Sequence, residues 1–255
     1  MTDNTFFEGC EGQEVHFQVG PSTWTLTGLI KERNSQVDAE GFYKDKTIGG
    51  AYGTFLCHSF TDPNRRGVMK VFKQIPYQGS EYGTAGQRAG QASQDLDYYI
   101  TSQLEALRTL TVSGCQSTPC ILSMQVERQK ETDSVPNGYI VFLLLNHLPG
   151  VQLSKAIFWA FEDTVRERIR QAFRVAWEDC VKSGVVPVLQ NIEHVFWHEA
   201  ANKAYIIGFR MSEKARIQDV WRDTRWIAWG MAECPDEYRW YREKNPHPDK
   251  SEWKL

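Results

Sequence analysis

The chain lacks any long apolar run. Its longest, YIVFLLL at residues 139–145, falls far short of the ~20 residues that a membrane-crossing helix needs, so no membrane partner is expected. It also lacks an excess of positive charge: 29 Lys and Arg stand against 32 Asp and Glu, a net charge of -3. No broad basic field advertises nucleic acid or anionic lipid, and no nucleic-acid partner is expected. Six cysteines are present, but none forms a C-x-x-C pair, and the opening MTDNTFFEGCEGQ carries no apolar signal core. A reduced, cytoplasmic protein is the expectation. Cys115 and Cys120 are spaced for a bridge or for half a metal site, yet no second pair of ligands lies close in sequence, and free thiols are the reading taken. No internal repeat or low-complexity segment interrupts the chain.

What is present is aromatic. Nine Trp and an aromatic content of 13% in 255 residues argue for packed structure, in one large or two small units, rather than a disordered chain. Residues 1–11 read as a loose arm. Alternation on either side of Gly20-Pro21 predicts two antiparallel strands within residues 14–30, followed by a charged, irregular stretch over 31–46. After a glycine-rich linker at 79–90, Leu96, Ile100, Gln103, Leu107 and Leu110 recur at helical spacing and predict a helix over 92–110. Two strands follow at 120–127 and 139–145, joined by the charged loop 128–138. Thr164 and Glu167 form a sequence capping box that opens a helix over 164–182. One face of that helix, Val165, Ile169, Phe173, Ala176 and Cys180, is apolar. Residues 184–211 then read as a helix stop at Gly184, a loop over 187–194, and a strand pair at 195–197 and 204–207 with a polar turn between.

That stretch resembles the protein-kinase pattern of a catalytic loop, a short hairpin and an Asp-Phe-Gly motif. Pro187 falls on the loop histidine, Leu189 on the catalytic Asp, His194 on the metal-binding Asn, and Gly208-Phe209-Arg210 on Asp-Phe-Gly. Further matches come earlier in the chain. Gly50, Gly53 and Phe55 fit the second and third glycines and the valine of the kinase glycine loop, with Ile48 in place of the first glycine. Lys70 sits on an apolar strand where the phosphate-pairing lysine belongs. Asn146 to Gly150 is similar to the hinge of aminoglycoside-phosphotransferase-like proteins and of compact fungal kinase-like proteins, with Asn146 replacing an acidic residue.

The resemblance covers roughly residues 45–212. It implies an α+β, protein-kinase-like bilobal fold: an N-terminal lobe over 1–145 with an antiparallel sheet and the helix 92–110, and a reduced, mainly helical C-terminal lobe over 146–255. The second lobe would hold the helix 164–182, a degenerate catalytic loop at 184–197 and C-terminal helices bearing Ile217, Trp221, Trp226, Trp229, Trp240 and Tyr241. Residues 212–255 contain no Ala-Pro-Glu motif and no peptide-substrate platform.

The chemical groups of a kinase are missing from this frame. Phosphoryl transfer needs a carboxylate for the acceptor hydroxyl and hard oxygen ligands for Mg²⁺. Leu189, His194 and Gly208 supply neither, and Gln103 stands where the helix glutamate that pairs the lysine would be. Glu105 lies about 200° around the helix from Gln103 and is the poorer partner. Losing the base alone is worth roughly 10²–10⁴ in rate. The resemblance thus implies a catalytically dead kinase-like binding or regulatory module, with a protein partner or a small-molecule ligand in the cleft between its lobes. An alternative is an enzyme of another class, using that cleft for a metal-free cyclisation, dehydration or isomerisation. Residual nucleotide transfer is a third reading, weakened by the lack of a metal ligand.

The catalytic candidates are Lys70, Glu193, His194 and Arg210; the cleft candidates are Gly50, Gly53, Lys70, Asn146 and Leu148. No metal site and no cofactor are expected. Each candidate has a plainer reading. Lys70 fits a strand lysine with its ammonium in solvent. Glu193 and His194 fit surface or hydrogen-bonded structural roles. Arg210 fits either a cation near the metal position or a surface pair with Glu213. His194 and His198 are four apart but flank a predicted strand, which separates them as zinc ligands. The C-terminal tryptophans fit core positions better than a docking surface.

Overall fold

A computed structural model describes residues 5–236 and 243–255, so Trp240 and Tyr241 lie outside the described residues. The protein is mixed α/β, with one large antiparallel sheet and few helices. It divides into two compact units. The first is Met1–Thr101 with Ile121–His147, and the second is Ser102–Cys120 with Leu148–Leu255. No helix among the described residues is long and apolar enough to cross a membrane.

The first unit contains β1 (Glu14–Phe17), β2 (Ser22–Ser35), α1 (Ala39–Tyr43), β3 (Gly49–Ser59), β4 (Arg66–Ile75), α2 (Ala85–Ala89), the start of α3 (Tyr98–Val112), β5 (Ile121–Arg128) and β6 (Tyr139–Asn146). The strands form one six-stranded sheet in the order β1-β2-β3-β4-β6-β5, all antiparallel. Side chains alternate across a sheet, so one face collects Val15, Phe17, Trp24, Leu26, Phe55, Cys57, Met69, Val71, Phe142 and Leu144 into a core.

Phe7 joins that core at 3% exposure, its ring 5.7 Å from Phe55 in an edge-on arrangement. The expected loose arm is therefore tied down over its described residues. The Phe6 amide donates to the Glu32 carboxylate, the Gly12 amide to the Leu26 carbonyl and the Leu29 amide to Glu11. Burying one Phe is worth roughly 1.5–3 kcal/mol, enough to order a short polar segment.

Three further expectations are corrected. β2 runs on to Ser35, beyond the predicted end, because its polar residues from Lys31 to Ser35 pair with β3 through backbone bonds, with irregularities in register around Gly28 and between Leu29 and Lys31. The predicted linker 79–90 contains α2, opened by Thr84 and Gln87 in a reciprocal capping box. And α3 begins at Tyr98, not near 92. The buried Gln74 side chain donates to the Gln91 carbonyl at 2.6 Å and accepts from the Ser93 amide at 2.9 Å, and Arg128 binds the Ser93 carbonyl at 2.9 Å. Those bonds hold residues 91–93 out of a helix. Gln129 stitches the loop 128–138 similarly, donating to the carbonyls of Gln74 and Tyr139 and accepting from Val135.

The second unit receives α3 from Ser102 onward and adds β7 (Val151–Gln152), α4 (Lys155–Ala160), α5 (Asp163–Lys182), β8 (Val185–Pro187), β9 (Val195–His198), β10 (Lys203–Ile206), β11 (Ser212–Lys214) and α6 (Thr224–Ala228). The end of α3 belongs here because the loop after it is bonded to α5 and β10. The Gln116 amide donates to Asp179 at 3.1 Å, and the Ile206 amide donates to the Ser117 carbonyl at 2.9 Å. α3 thus spans the division between the two units.

α5 buries Ile169, Phe173, Ala176, Trp177 and Cys180, and Val165 is only half-buried. The Thr164 capping box does not form. Glu162 is the N-cap and makes no side-chain cap bond, so Thr164 sits inside the first turn, where Arg166 binds the Phe161 carbonyl and Asp163. Trp221, Trp226 and Trp229 are buried, with Phe173 4.7 Å from Trp229 and Trp177 5.7 Å from Trp221. Ile217, expected on the same apolar face, is fully exposed in a non-helical stretch; α6 is the one helix among the described residues beyond Met211.

Candidate functional site

The stretch after α5 folds into two small sheets around one loop. β8 pairs with β11, and β9 pairs with both β10 and β7. Gly150 lies against this second sheet at φ +98°, and a side chain there would collide with the Trp197 carbonyl. Between β8 and β9, Asn191 accepts the Glu193 amide at 2.8 Å and caps a single 3₁₀ turn, Ile192–His194. That turn aims the His194 ring back over its own loop. Nδ1 lies 3.0 Å from the Leu189 carbonyl oxygen, which can only accept, so Nδ1 carries the proton. The His194 carbonyl accepts from the Ile207 amide at 2.9 Å, bringing the end of β10 alongside.

Gly208 completes the corner. A Cβ built on it would fall inside the van der Waals envelope of the His194 ring and 2.9 Å from the His194 Cβ. The imidazole occupies the volume that any side chain at 208 would need. His194 is therefore in contact with both Leu189 and Gly208: the glycine admits the ring, and the ring takes up the leucine's carbonyl.

The remaining candidates of the second unit sit around this corner in plainer settings. Glu193 is exposed, and its backbone carbonyl accepts from Gln152 at 2.6 Å. Arg210 is half-buried, next to the fully buried Phe209; Glu213, its expected surface partner, is engaged by Arg216 at 3.5 Å. His198 lies on β9 opposite Lys203, separated from His194 by strand residues, and no group of three or more His, Cys, Asp or Glu suited to a metal occurs among the described residues. Leu148 is buried.

The first unit holds the others. Lys70 lies at the middle of the sheet, opposite Thr54 on β3 and Leu143 on β6. No hydrogen bond or ion pair satisfies its ammonium among the described residues, and desolvation pushes its pKa down to about 8. Gly50 and Gly53 are not in a loop: both are mid-strand residues of β3, paired with β2 on one side and β4 on the other. Their lack of side chains is used for packing. A Cβ at 53 would come 2.7 Å from the Phe55 ring and 3.2 Å from Phe7, and one at 50 would come 2.9 Å from the Tyr52 hydroxyl and 3.1 Å from that of Tyr139. Alternation along β3 places residue 53 on the sheet face opposite to Thr54 and Lys70. Asn146 ends β6 opposite Gly67. Asn191, which shapes the His194 turn, carried no weight in the sequence reading; its one local signal is an Asn two residues before Glu193, the spacing of a side-chain cap.

No family model matches the chain, and no curated protein matches it. Among solved structures it is similar to the kinase PK-1 of Cydia pomonella granulovirus, with a TM-score of 0.44 and 7% identity over 75% of this chain and 52% of that one. The chain thus spans about half the length of that kinase.

Proposed function

We propose that the chain is a kinase-like binding module that does not transfer phosphate. The observation that carries this reading is the interlock of His194 with Gly208 and the Leu189 carbonyl. In the kinase pattern these three positions supply a base and two oxygen ligands for Mg²⁺. Here none of the three positions carries a carboxylate, and an imidazole is a poor match for an ion that demands hard oxygen ligands in octahedral array. A filled, hydrogen-bonded corner is a stable structural element, suited to a domain that works by holding a partner protein, with or without a small ligand.

Thermal shift measurements test it. ATP with Mg²⁺ should move the melting temperature no more than ATP alone. A large Mg²⁺-dependent shift would remove the reading.

A second reading is favoured by Lys70. A half-buried ammonium with no counter-charge among the described residues and a pKa lowered to about 8 is a group that small-molecule enzymes use as base or nucleophile. On this reading the chain acts on an uncharged metabolite without a metal. A shift with an apolar ligand and none with nucleotide, followed by loss of turnover in Lys70→Ala, would favour it.

A further inference from the structure

In the second unit, residues 246–255 form a segment that lies on the surface made by α4, α6 and the residues after it. Within the segment Pro248 and Trp253 are buried and Lys250 is half-buried, and its own turns are local: Asp249 accepts the Ser251 amide at 3.0 Å, and the Lys250 carbonyl accepts the Trp253 amide at 2.9 Å. The surface meets it at two places. At the first, the buried carboxylate of Asp223, just before α6, accepts from the Lys250 ammonium at 2.6 Å and lies 3.3 Å from His247 Nδ1. The Asp223 amide donates to the Pro246 carbonyl at 2.9 Å, and the Lys250 ammonium stands 5.0 Å from the centre of the Trp226 ring. At the second, Lys254 and Glu233 exchange backbone bonds of 2.8 and 3.0 Å. The Lys254 ammonium is 3.1 Å from the Glu233 carboxylate and 4.3 Å from the centre of the Trp159 ring. Each acid is held by the surface independently of the segment: Trp221 Nε1 donates to Asp223 at 2.8 Å, and Lys155 pairs with Glu233 at 2.8 Å.

We propose that this surface docks a peptide segment of a protein partner with the pattern Lys-x-x-Trp-Lys, and that residues 246–255 are the resident ligand which the partner displaces. Charge complementarity carries the argument. An acid beside an aromatic face occurs at both places, and each takes a lysine, which meets the acid by an ion pair and the ring by a cation–π contact. The backbone pair at Glu233 fixes the direction in which an extended segment runs, and Trp253 is the buried aromatic anchor that such interfaces use. The resident is an imperfect ligand for this surface. Asp249 and Glu252, both exposed, put negative charge between the two lysines that an acidic surface selects, so a segment with neutral or basic residues there fits better. The surface uses neither His194 nor Gly208, so the proposal stands or falls apart from the question of phosphate transfer.

The test uses a fluorescein-labelled synthetic peptide of residues 246–255 and the full chain carrying Lys250→Ala and Trp253→Ala, whose own segment is loosened. Anisotropy should show saturable binding to this variant. The parent should bind at least about tenfold more weakly, because a tethered resident competes at an effective concentration on the order of millimolar. A peptide with Asp249→Asn and Glu252→Gln should bind more tightly than the natural one, and a peptide with Lys250→Ala and Trp253→Ala should not bind. Adding Asp223→Asn to the loosened chain should weaken binding about tenfold, and adding Glu233→Gln, at a more exposed pair, about two- to fivefold. Should the loosened chain fail to fold, hydrogen exchange on the parent decides: millimolar peptide should speed exchange of the Lys254 amide and leave the buried face of α5 protected. Absence of saturable binding, equal binding to the parent, or, in the second measurement, unchanged exchange at Lys254 would overturn the proposal. A parent that sediments as a dimer, and becomes a monomer with Trp253→Ala, would make the occupant a second copy of the chain and overturn the partner.

Discussion

Lys70 in the sheet of the first unit and His194 in the loop of the second differ in how their nitrogens are satisfied. Lys70 carries an ammonium that burial makes costly and that no acidic group among the described residues relieves. His194 carries an imidazole that is bonded through Nδ1, packed against a glycine and held by a capped turn. The sheet position thus holds a cation with no partner among the described residues, and the loop position is a packed, hydrogen-bonded structural element.

The largest break in that comparison comes from putting a carboxylate back at position 208. Gly208→Asp must displace the His194 ring and desolvate a new charge, and is expected to cost about 2–5 kcal/mol of stability. Gly208→Ala, which adds the steric conflict alone, should cost about 1–3 kcal/mol. Urea unfolding of Gly208→Ala, His194→Ala and the double variant would measure the interlock directly, with an expected coupling of about 1–2 kcal/mol in favour of the pair changed together. A Gly208→Asp protein as stable as the parent would show that the ring does not fill the corner.

The frame of that corner was legible in the sequence, but its packing was not. Strand periodicity, Gly184 and the turn at 198–203 placed the loop and hairpin correctly, because alternation and helix stops are local signals. The same reading found the sheet strands β5 and β6 and the buried face of α5. It missed what depends on distant partners. Phe7 reads as part of a polar arm until the core that receives it exists. Residues 92–97 have helical composition, but Gln74 and Arg128 take up their backbone groups. Thr164 and Glu167 have the letters of a capping box, yet Arg166 offers the first turn another partner. Cys115 and Asp179 are 64 residues apart, and no spacing rule joins them. Gly50 and Gly53 have two physical explanations that no single sequence separates, a cradle for phosphate or room for aromatic rings.

A smaller effect, opposite in sign, is expected at the other place. Lys70→Met removes a desolvated charge while keeping the stem that packs on the sheet. The folded pKa of about 8 lies below the ordinary lysine value of 10.5, so between these values the unfolded chain binds more protons than the folded one. Stability should therefore rise with pH across about 8 to 10.5, and below about 8 the full penalty applies. A shift of that size bounds the penalty at about 3 kcal/mol, which partial exposure reduces to about 1–2 kcal/mol. Lys70→Met should gain that amount at neutral pH and lose the rise above pH 8 in urea titrations. A flat profile in the parent would mean that a counter-charge reaches the ammonium, and the contrast with His194 would vanish.

The smallest expected effect separates a glycine that serves packing from one that serves the corner. At Gly53 an added methyl meets Phe55 and Phe7, rings held by apolar contact with no hydrogen bond to anchor them. Phe7 sits on a short terminal segment that can shift by a few tenths of an ångström, and the alanine also restricts the unfolded chain, which returns about 0.4–1 kcal/mol. Gly53→Ala should therefore cost about 1 kcal/mol net, less than Gly208→Ala. The cost should fall further in a Phe7→Ala background, because Phe55 can then turn into the space that Phe7 leaves. If Gly53→Ala costs as much with Phe7 absent as with it present, the N-terminal arm is not what requires the glycine, and the conflict lies with the Phe55 ring alone.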